Sequence, residues 1–323
     1  MNSTEKNIIK IMEILRKEFP DETRSDAPLA PFTSYNVGGN ADLLVFPKSV
    51  DHVEQIIHLC YEKKVPFFVI GKGANVLVHD DGFRGVVVSL EKCCSQIFHE
   101  KNLLYVGAGA TVKDLVEYCE NNNLAGVEYM SGIPGTVGGA LRMNAGAFIG
   151  EIGDRVLRID ALNNKGIREQ ISQEEAGFGY RRANGLTGKI LLGCWIMLDV
   201  GKKEELYQAR QEYLAKRAEK QPLEYPSCGS VFKRPTGDYA GRLIEESGCK
   251  GLRIGGAMVS QKHANFVVNY ENATAKDIYD VICEVQEKVY NRFGVMLELE
   301  VKLVGFSKEE IEKVKSSPNE AEI

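Results

Sequence analysis

Ser131-Gly-Ile-Pro-Gly-Thr-Val-Gly-Gly-Ala-Leu-Arg-Met-Asn-Ala-Gly-Ala147 is dense in glycine and carries a single charge. A plain surface loop would be rich in Ser, Asp and Lys. Glycine lets the backbone reach positive φ and lets another group approach the main chain closely. The stretch therefore reads either as a tight turn between two buried strands or as main chain laid against a flat or phosphorylated ligand, with its N–H groups as the binding surface.

Two further Gly-rich loops follow strands. Gly71-Lys-Gly-Ala-Asn75 comes directly after the β-forming run Val65–Ile70, and Gly107-Ala-Gly109 after Leu103–Val106. The first is no Walker A, because no Gly-Lys-Ser/Thr closes it. Neither is the Rossmann fingerprint, because the third glycine is missing. Together the three loops suggest one extended ligand, of dinucleotide length, lying across backbone.

The 323 residues are 44% hydrophobic and 26% charged, an ordinary globular composition with room for two or three domains. The net charge of −5 argues against nucleic acid or an anionic membrane as partner. No apolar run reaches the ~18 residues of a membrane span. Ile8, Ile9, Ile11, Met12, Leu15 and Phe19 follow a helical period where a signal peptide would have its apolar core, so a cytoplasmic protein is expected. The eight cysteines lack any CxxC pair and read as reduced, mostly buried thiols, and the five histidines show no metal-ligand spacing, so no metal is expected.

Along the chain, residues 1–19 predict an amphipathic helix, and Pro28 and Pro31 mark a loop. Ser49 predicts the cap of a helix whose apolar face is Val53, Ile56, Ile57 and Cys60. Thr111 with Asp114, Thr274 with Asp277 and Ser307 with Glu310 predict capped helix starts. Further helices are predicted from Glu204 to Pro222 and over 239–247. Strands are predicted near 41–46, 86–90, 155–162 and 190–198. After Gly294 the alternation Val295, Leu297, Leu299, Val301, Leu303 predicts a last strand with Met296, Glu298, Glu300 and Lys302 on its polar face. That periodicity alone puts Glu300 on an exposed face. Residues 316–323 read as a disordered tail. Helices and strands mix without a regular βα repeat, so the fold class is α+β.

Two other segments bear on chemistry. Phe178-Gly-Tyr-Arg-Arg182 offers paired arginines, either a solvated face or a bidentate anion clamp. Pro226-Ser-Cys-Gly-Ser-Val-Phe-Lys-Arg-Pro235 offers two hydroxyls, a thiol and two cations between prolines. Ser230 lacks the Gly-x-Ser-x-Gly elbow and a partnered histidine, which argues against a covalent serine nucleophile and leaves a proton donor open. Cys228 reads as a buried, inert thiol.

Taken in order, residues 71–78, 132–140, 143–147, 180–181, 228–235 and 299–305 resemble the UDP-N-acetylenolpyruvoylglucosamine reductase (MurB) family of peptidoglycan synthesis, in the subtype that lacks an extra substrate-covering loop. The likeness runs from about Phe32 to Gly305. It implies three units: residues 1–95 joined by 306–323, residues 96–203, and a substrate-binding α+β domain over 204–305. The first two form the FAD-binding fold of the vanillyl-alcohol-oxidase (PCMH) type. It implies a monomeric enzyme with non-covalently bound FAD, NADPH as reductant and UDP-N-acetylglucosamine enolpyruvate as substrate. A flavin oxidase or dehydrogenase of the same fold, and a nucleotide-binding module without catalysis, are the rival readings. By the same resemblance Arg181 stabilises an enolate, Ser230 delivers a proton and Glu300 polarises the carboxyl region. Gly71, Lys72, Gly73, Ala74, Asn75, Val76, Leu77, Ile133, Pro134, Gly135, Thr136, Gly138, Gly139, Asn144, Gly146 and Arg217 would hold the cofactor. Tyr180, Lys233, Arg234 and Lys302 would hold the substrate. Ala74 replaces an expected serine, and Lys302 a common arginine, which loses bidentate geometry.

Overall fold

The computed structural model describes residues 3–314, so the tail reading of 316–323 lies outside the described residues. Helix α1 (Ser3–Glu18) buries Ile8, Ile11 and Leu15 against the first sheet. Strands β1 (Thr23–Pro28) and β2 (Asn40–Val45) pair antiparallel. Helix α2 (Val50–Lys63) is capped by Ser49, whose hydroxyl accepts the His52 N–H at 3.2 Å, and it buries the four predicted residues. Strand β3 (Phe67–Ile70) follows, then β4 (Val76–Val78) and β5 (Phe83–Ser89). The sheet order is β1-β2-β5-β3, with β5 parallel to both β2 and β3.

The second group opens with β6 (Ile97–Glu100), β7 (Leu103–Gly107) and α3 (Val112–Asn121). Helix α3 starts at a complete Thr111–Asp114 capping box. The opening Gly-rich stretch then forms α4 (Val137–Arg142), capped by Thr136. Strands β8 (Val156–Leu162), β9 (Arg168–Ser172) and β10 (Ile190–Met197) complete an antiparallel sheet of order β9-β8-β10-β7-β6. One apolar cluster runs from α1 through this sheet.

Helix α5 (Lys203–Lys220) is polar, with Leu206 buried, and ends before Pro222. Helix α6 (Ala240–Glu246) and the three-stranded sheet β11 (Arg253–Ile254), β12 (Ala257–Val259) and β13 (Val267–Asn269) pack with α7 (Ala275–Phe293) around a second core. Strand β14 (Lys302–Val304) returns to pair parallel with β4. Helix α8 (Lys308–Lys313) lies on α7, where Tyr279 Oη donates to the Glu310 carbonyl at 2.8 Å. No helix among the described residues is long and apolar enough to cross a membrane.

Three expectations change. The segment before Pro28 is an edge strand, unreadable because only Ala27 is buried in it. Residues 137–142, read as loop, form a helical turn because the Thr136 cap outweighs the glycines. The last strand is confined to Lys302–Val304; residues 295–301 keep the alternating burial, with Leu297, Leu299 and Val301 buried, but make only a single bridge, Phe232 to Leu299.

The α7 N-terminus is held from the first sheet group. Asp80 accepts the Ala275 and Lys276 N–H groups, each at 2.9 Å, beside the Thr274–Asp277 capping box. A carboxylate here satisfies two orphan donors and the helix dipole together. Asp80→Ala should therefore destabilise the fold by about 1–2 kcal/mol in urea denaturation. An unchanged midpoint would show that the capping box alone suffices.

Candidate active site

One cavity of about 690 Å³ runs between the three Gly-rich loops and the C-terminal unit. Its lining carries Lys72, Arg142, Arg181, Lys189, Arg217 and Lys302, against Glu91 and Glu300, in a chain whose net charge is −5. That local excess of positive charge selects an anionic ligand.

The first wall is the loop 71–76. The Lys72, Gly73 and Asn75 carbonyls are tied to protein: Gly73 and Asn75 accept the Ser34 and Lys302 N–H groups at 3.0 Å each, and Lys72 accepts the Ser34 hydroxyl at 3.4 Å. The Cys228 thiol adds a 3.3 Å bond to the Val76 carbonyl. The N–H groups of Lys72, Gly73, Ala74 and Asn75 donate to no acceptor among the described residues. With those carbonyls held by protein, the unpartnered amides of this cavity-lining loop are available to a ligand, as in an anion nest. Gly73 is required, since at φ +56 a Cβ would stand 2.2 Å from the Phe32 carbonyl oxygen.

The second wall differs from the sequence reading. Ile133, Pro134, Gly135, Thr136, Gly138, Gly139 and Gly146 line the cavity. Yet the Val137 and Gly138 N–H groups bond to Ala110 and Ala108 carbonyls at 2.8 Å, and the Gly139 N–H bonds to the Thr136 hydroxyl. These glycines let α4 lie on the 108–110 turn; a Cβ on Gly138 would meet Ala108 at 3.0 Å. Arg217 donates Nε–H to the Ser131 carbonyl at 2.7 Å, while its Nη2 is buried without a hydrogen-bond partner among the described residues. Burial and the Arg181 charge both pull its pKa down. A guanidinium with an orphaned donor fits a phosphate or carboxylate oxygen. The nest, the orphaned donor and the cationic lining together fit the diphosphate of an FAD.

Arg181, Ser230 and the Glu300–Lys302 segment, far apart in sequence, line the same cavity. Arg181 sits at the turn of the hairpin pairing Phe178–Gly179 with Arg182–Ala183, at a left-handed φ of 53°. For a residue with a Cβ that conformation costs about 1–2 kcal/mol. Its Nε lies 2.8 Å from Glu300 Oε1 with the N–H poorly aligned, so the contact is an ion pair more than a hydrogen bond. The Glu300 side chain is 14% exposed, so of the polar face predicted to meet solvent, Met296 and Glu298 do so while Glu300 and Lys302 line this cleft. Burial pushes its carboxyl up, against the lowering pull of Arg181, Lys233 and Lys302. Burial likewise brings the Lys302 ammonium down to about 8, with Lys233 adding to the effect. Ser230 is half-buried, and its hydroxyl bonds to no other group among the described residues.

Five predicted site residues do not line the cavity. Leu77 is fully buried in the C-terminal core. Asn144, 2% exposed, donates to the Gly179 carbonyl at 3.1 Å and accepts the Gly153 N–H at 3.0 Å, and so braces the Arg181 hairpin. Tyr180 is exposed, its hydroxyl accepting the Arg234 N–H at 3.3 Å. The Arg234 guanidinium lies 3.9 Å over the Tyr239 ring, and Lys233 pairs with Glu298. Cys228 is buried and its thiol is pushed up by desolvation, as an inert thiol should be. Sequence reasoning missed Arg142, Leu223 and Tyr225, which line the cavity. Arg142 was visible as the one charge in the Gly-rich stretch. It donates to the Leu186 and Lys189 carbonyls, and burial lowers its pKa to about 10.

Residues 41–172 match the model of an FAD binding domain, and residues 221–304 that of the UDP-N-acetylenolpyruvoylglucosamine reductase C-terminal domain. Full-length similarity agrees. The UDP-N-acetylenolpyruvoylglucosamine reductase of Listeria welshimeri is 41% identical over 297 residues, 91% of this chain and 99% of the relative. That of Clostridioides difficile is 41% identical over 298 residues, 92% and 97% of the two chains. The crystal structure of the UDP-N-acetylenolpyruvylglucosamine reductase (MurB) of Thermus caldophilus superposes with a TM-score of 0.75 at 35% identity, over 88% of this chain and 98% of that one.

The buried lysine gives a signed prediction. Because folding depresses its pKa, protonated Lys302 opposes folding at neutral pH, and that penalty fades as pH rises from about 8 toward the ordinary 10.5. Lys302→Met should thus be more stable than the wild type without ligand by on the order of 1–3 kcal/mol at pH 7, with the gap closing near pH 10. Urea denaturation at both pH values measures it, and a gap that widens with pH contradicts the assignment.

Proposed function

The chain belongs to the UDP-N-acetylenolpyruvoylglucosamine reductase family, FAD-dependent oxidoreductases of peptidoglycan precursor synthesis, and from that premise we propose how its own residues serve the reaction. The substrate is UDP-N-acetylglucosamine enolpyruvate, the product UDP-N-acetylmuramate and the reductant NADPH. An FAD held in the cavity would supply the hydride chemistry, relaying two electrons from NADPH to the vinyl CH₂ carbon of the enolpyruvyl group.

Residues 72–75 and Arg217 hold the cofactor's phosphates through amide and guanidinium donors. Electron density left on the carbon beside the carboxylate spreads into that carboxylate as an enolate. Arg181, held at the cleft by a strained turn, stabilises this charge where it develops. Glu300 keeps the guanidinium in place through the 2.8 Å ion pair. Ser230 gives its hydroxyl proton to the same carbon, and solvent restores that proton once product has left and the cleft is open again. A serine is a weak acid, so the transfer needs a carbanion-like acceptor and a site shielded from water. Lys302 adds positive potential for the substrate's anionic groups.

The observation that supports this reading is that the Arg181–Glu300 ion pair and Ser230 line the same cavity as the loop 72–75 amides. The match of residues 221–304 to the reductase's own C-terminal domain disfavours an oxidase of other specificity. A cytoplasmic monomer, divided at about residues 95 and 203, completes the proposal.

Ser230→Ala should leave anaerobic reduction of the flavin by NADPH close to normal and slow its reoxidation by the enolpyruvyl sugar nucleotide by about 10²–10⁴-fold. Stopped-flow absorbance separates the two half-reactions. Equal loss in both, or in neither, removes Ser230 from the proton-donor role.

A further inference from the structure

No side-chain hydrogen bond among the described residues fixes Ser230, so its place is set by main chain. The segment after it lies against the Glu300 segment. The Val231 carbonyl accepts the Glu300 N–H at 2.8 Å, and the Lys233 N–H donates to the Glu298 carbonyl at 2.8 Å. This short ladder carries both Ser230 and Glu300. Its other edge, at Val231 and Phe232, is closed by one residue of the 260–266 loop. The main-chain carbonyl of Asn265 accepts the Val231 N–H at 2.9 Å. Its Oδ1 accepts the Phe232 N–H at 3.0 Å, and its Nδ2 donates to the Phe232 carbonyl at 2.8 Å.

We propose that Asn265 is a positioning residue for the reduction: its carboxamide stands in for a peptide unit of a third strand and holds Ser230 and Glu300 aimed at one point in the cleft. The proposal rests on Ser230 being the proton donor. Asn265 is 7% exposed and Phe232 2%, so both hydrogen bonds are shielded from water. A carboxamide offers one acceptor and one donor at the required spacing; a carboxylate offers two acceptors and an alkyl side chain offers neither. Without it, two buried main-chain groups at Phe232 lose their partners. The loop can recover them only by moving toward water, and that displaces Ser230. Asn265 itself does not line the cavity, so it acts through the ladder.

The test uses the full-length, flavin-loaded enzyme with Asn265→Asp, Asn265→Ala, Ser230→Ala and the Asn265→Asp/Ser230→Ala double variant. Asn265→Asp keeps the shape and one hydrogen bond, and carries the test if the alanine variant fails to fold. NADPH should reduce the flavin of Asn265→Asp within about twofold of the wild-type rate, while reoxidation by the enolpyruvyl sugar nucleotide slows by roughly 10- to 100-fold, the size expected for a catalytic group displaced by ~1 Å. The loss should fall on kcat more than on KM, and the double variant should reoxidise no more slowly than Ser230→Ala alone. Equal slowing of both half-reactions, multiplicative losses in the double variant, or normal reoxidation in Asn265→Asp overturns the proposal. If Ser230→Ala alone reoxidises normally, the proton-donor reading fails and the proposal with it; if Ser230→Ala is slow and Asn265→Asp is not, only the positioning role falls.

Discussion

Lys72, Gly73, Ala74 and Asn75 leave four successive N–H groups without a partner among the described residues, while the Lys72, Gly73 and Asn75 carbonyls are held by Ser34 and by Lys302. Gly73 is buried, and a donor shielded from water costs about 1–3 kcal/mol until something accepts from it. The surrounding fold maintains that state. Strand β14 runs parallel to β4 directly after the loop, the Cys228 thiol bonds to the Val76 carbonyl, and Asn75 Nδ2 donates to the Glu300 carbonyl at 2.9 Å. The ligand cradle and the Glu300 segment are thus one hydrogen-bonded piece. A cofactor seated on those amides would be set in register with Glu300 by the backbone itself.

The charges of the cleft follow the same logic. Burial lowers the pKa values of Lys302, Arg217 and Arg142 and raises that of Glu300, so each charged form is held against desolvation. A site of this kind is poor for stability and good for function, because an anionic ligand or a developing enolate relieves the excess of buried cations. The left-handed backbone at Arg181 is a further local cost, borne by the Asn144 brace beneath the hairpin.

Much of the fold was readable locally. The three capping boxes at Thr111, Thr274 and Ser307 need only a few neighbouring residues, and each appears in the structure. Strand β1 was not readable, since its identity lies in its pairing with β2 and little of it is buried. Glu300 shows the limit of periodicity. Alternation picked out Leu297, Leu299 and Val301 as buried, but it cannot tell Met296 and Glu298, which meet water, from Glu300 and Lys302, which look into a cleft. Arg181 and Ser230 became visible through a set of motifs taken together, each being ambiguous alone. Asn265 carries no signal in sequence at all, because its function is a partner 33 residues away.

The central claim is that loop 72–75 recognises a diphosphate through main-chain amides. Equilibrium binding of FAD and of FMN to the flavin-free protein, at fixed ionic strength, tests it most directly. FMN keeps the isoalloxazine ring and lacks the diphosphate and adenosine, while ADP-ribose keeps those and lacks the ring. The account predicts that FAD binds at least about 100-fold more tightly than FMN, a difference of about 3 kcal/mol, and that ADP-ribose competes with FAD. FMN binding as tightly as FAD, with no competition by ADP-ribose, would contradict it.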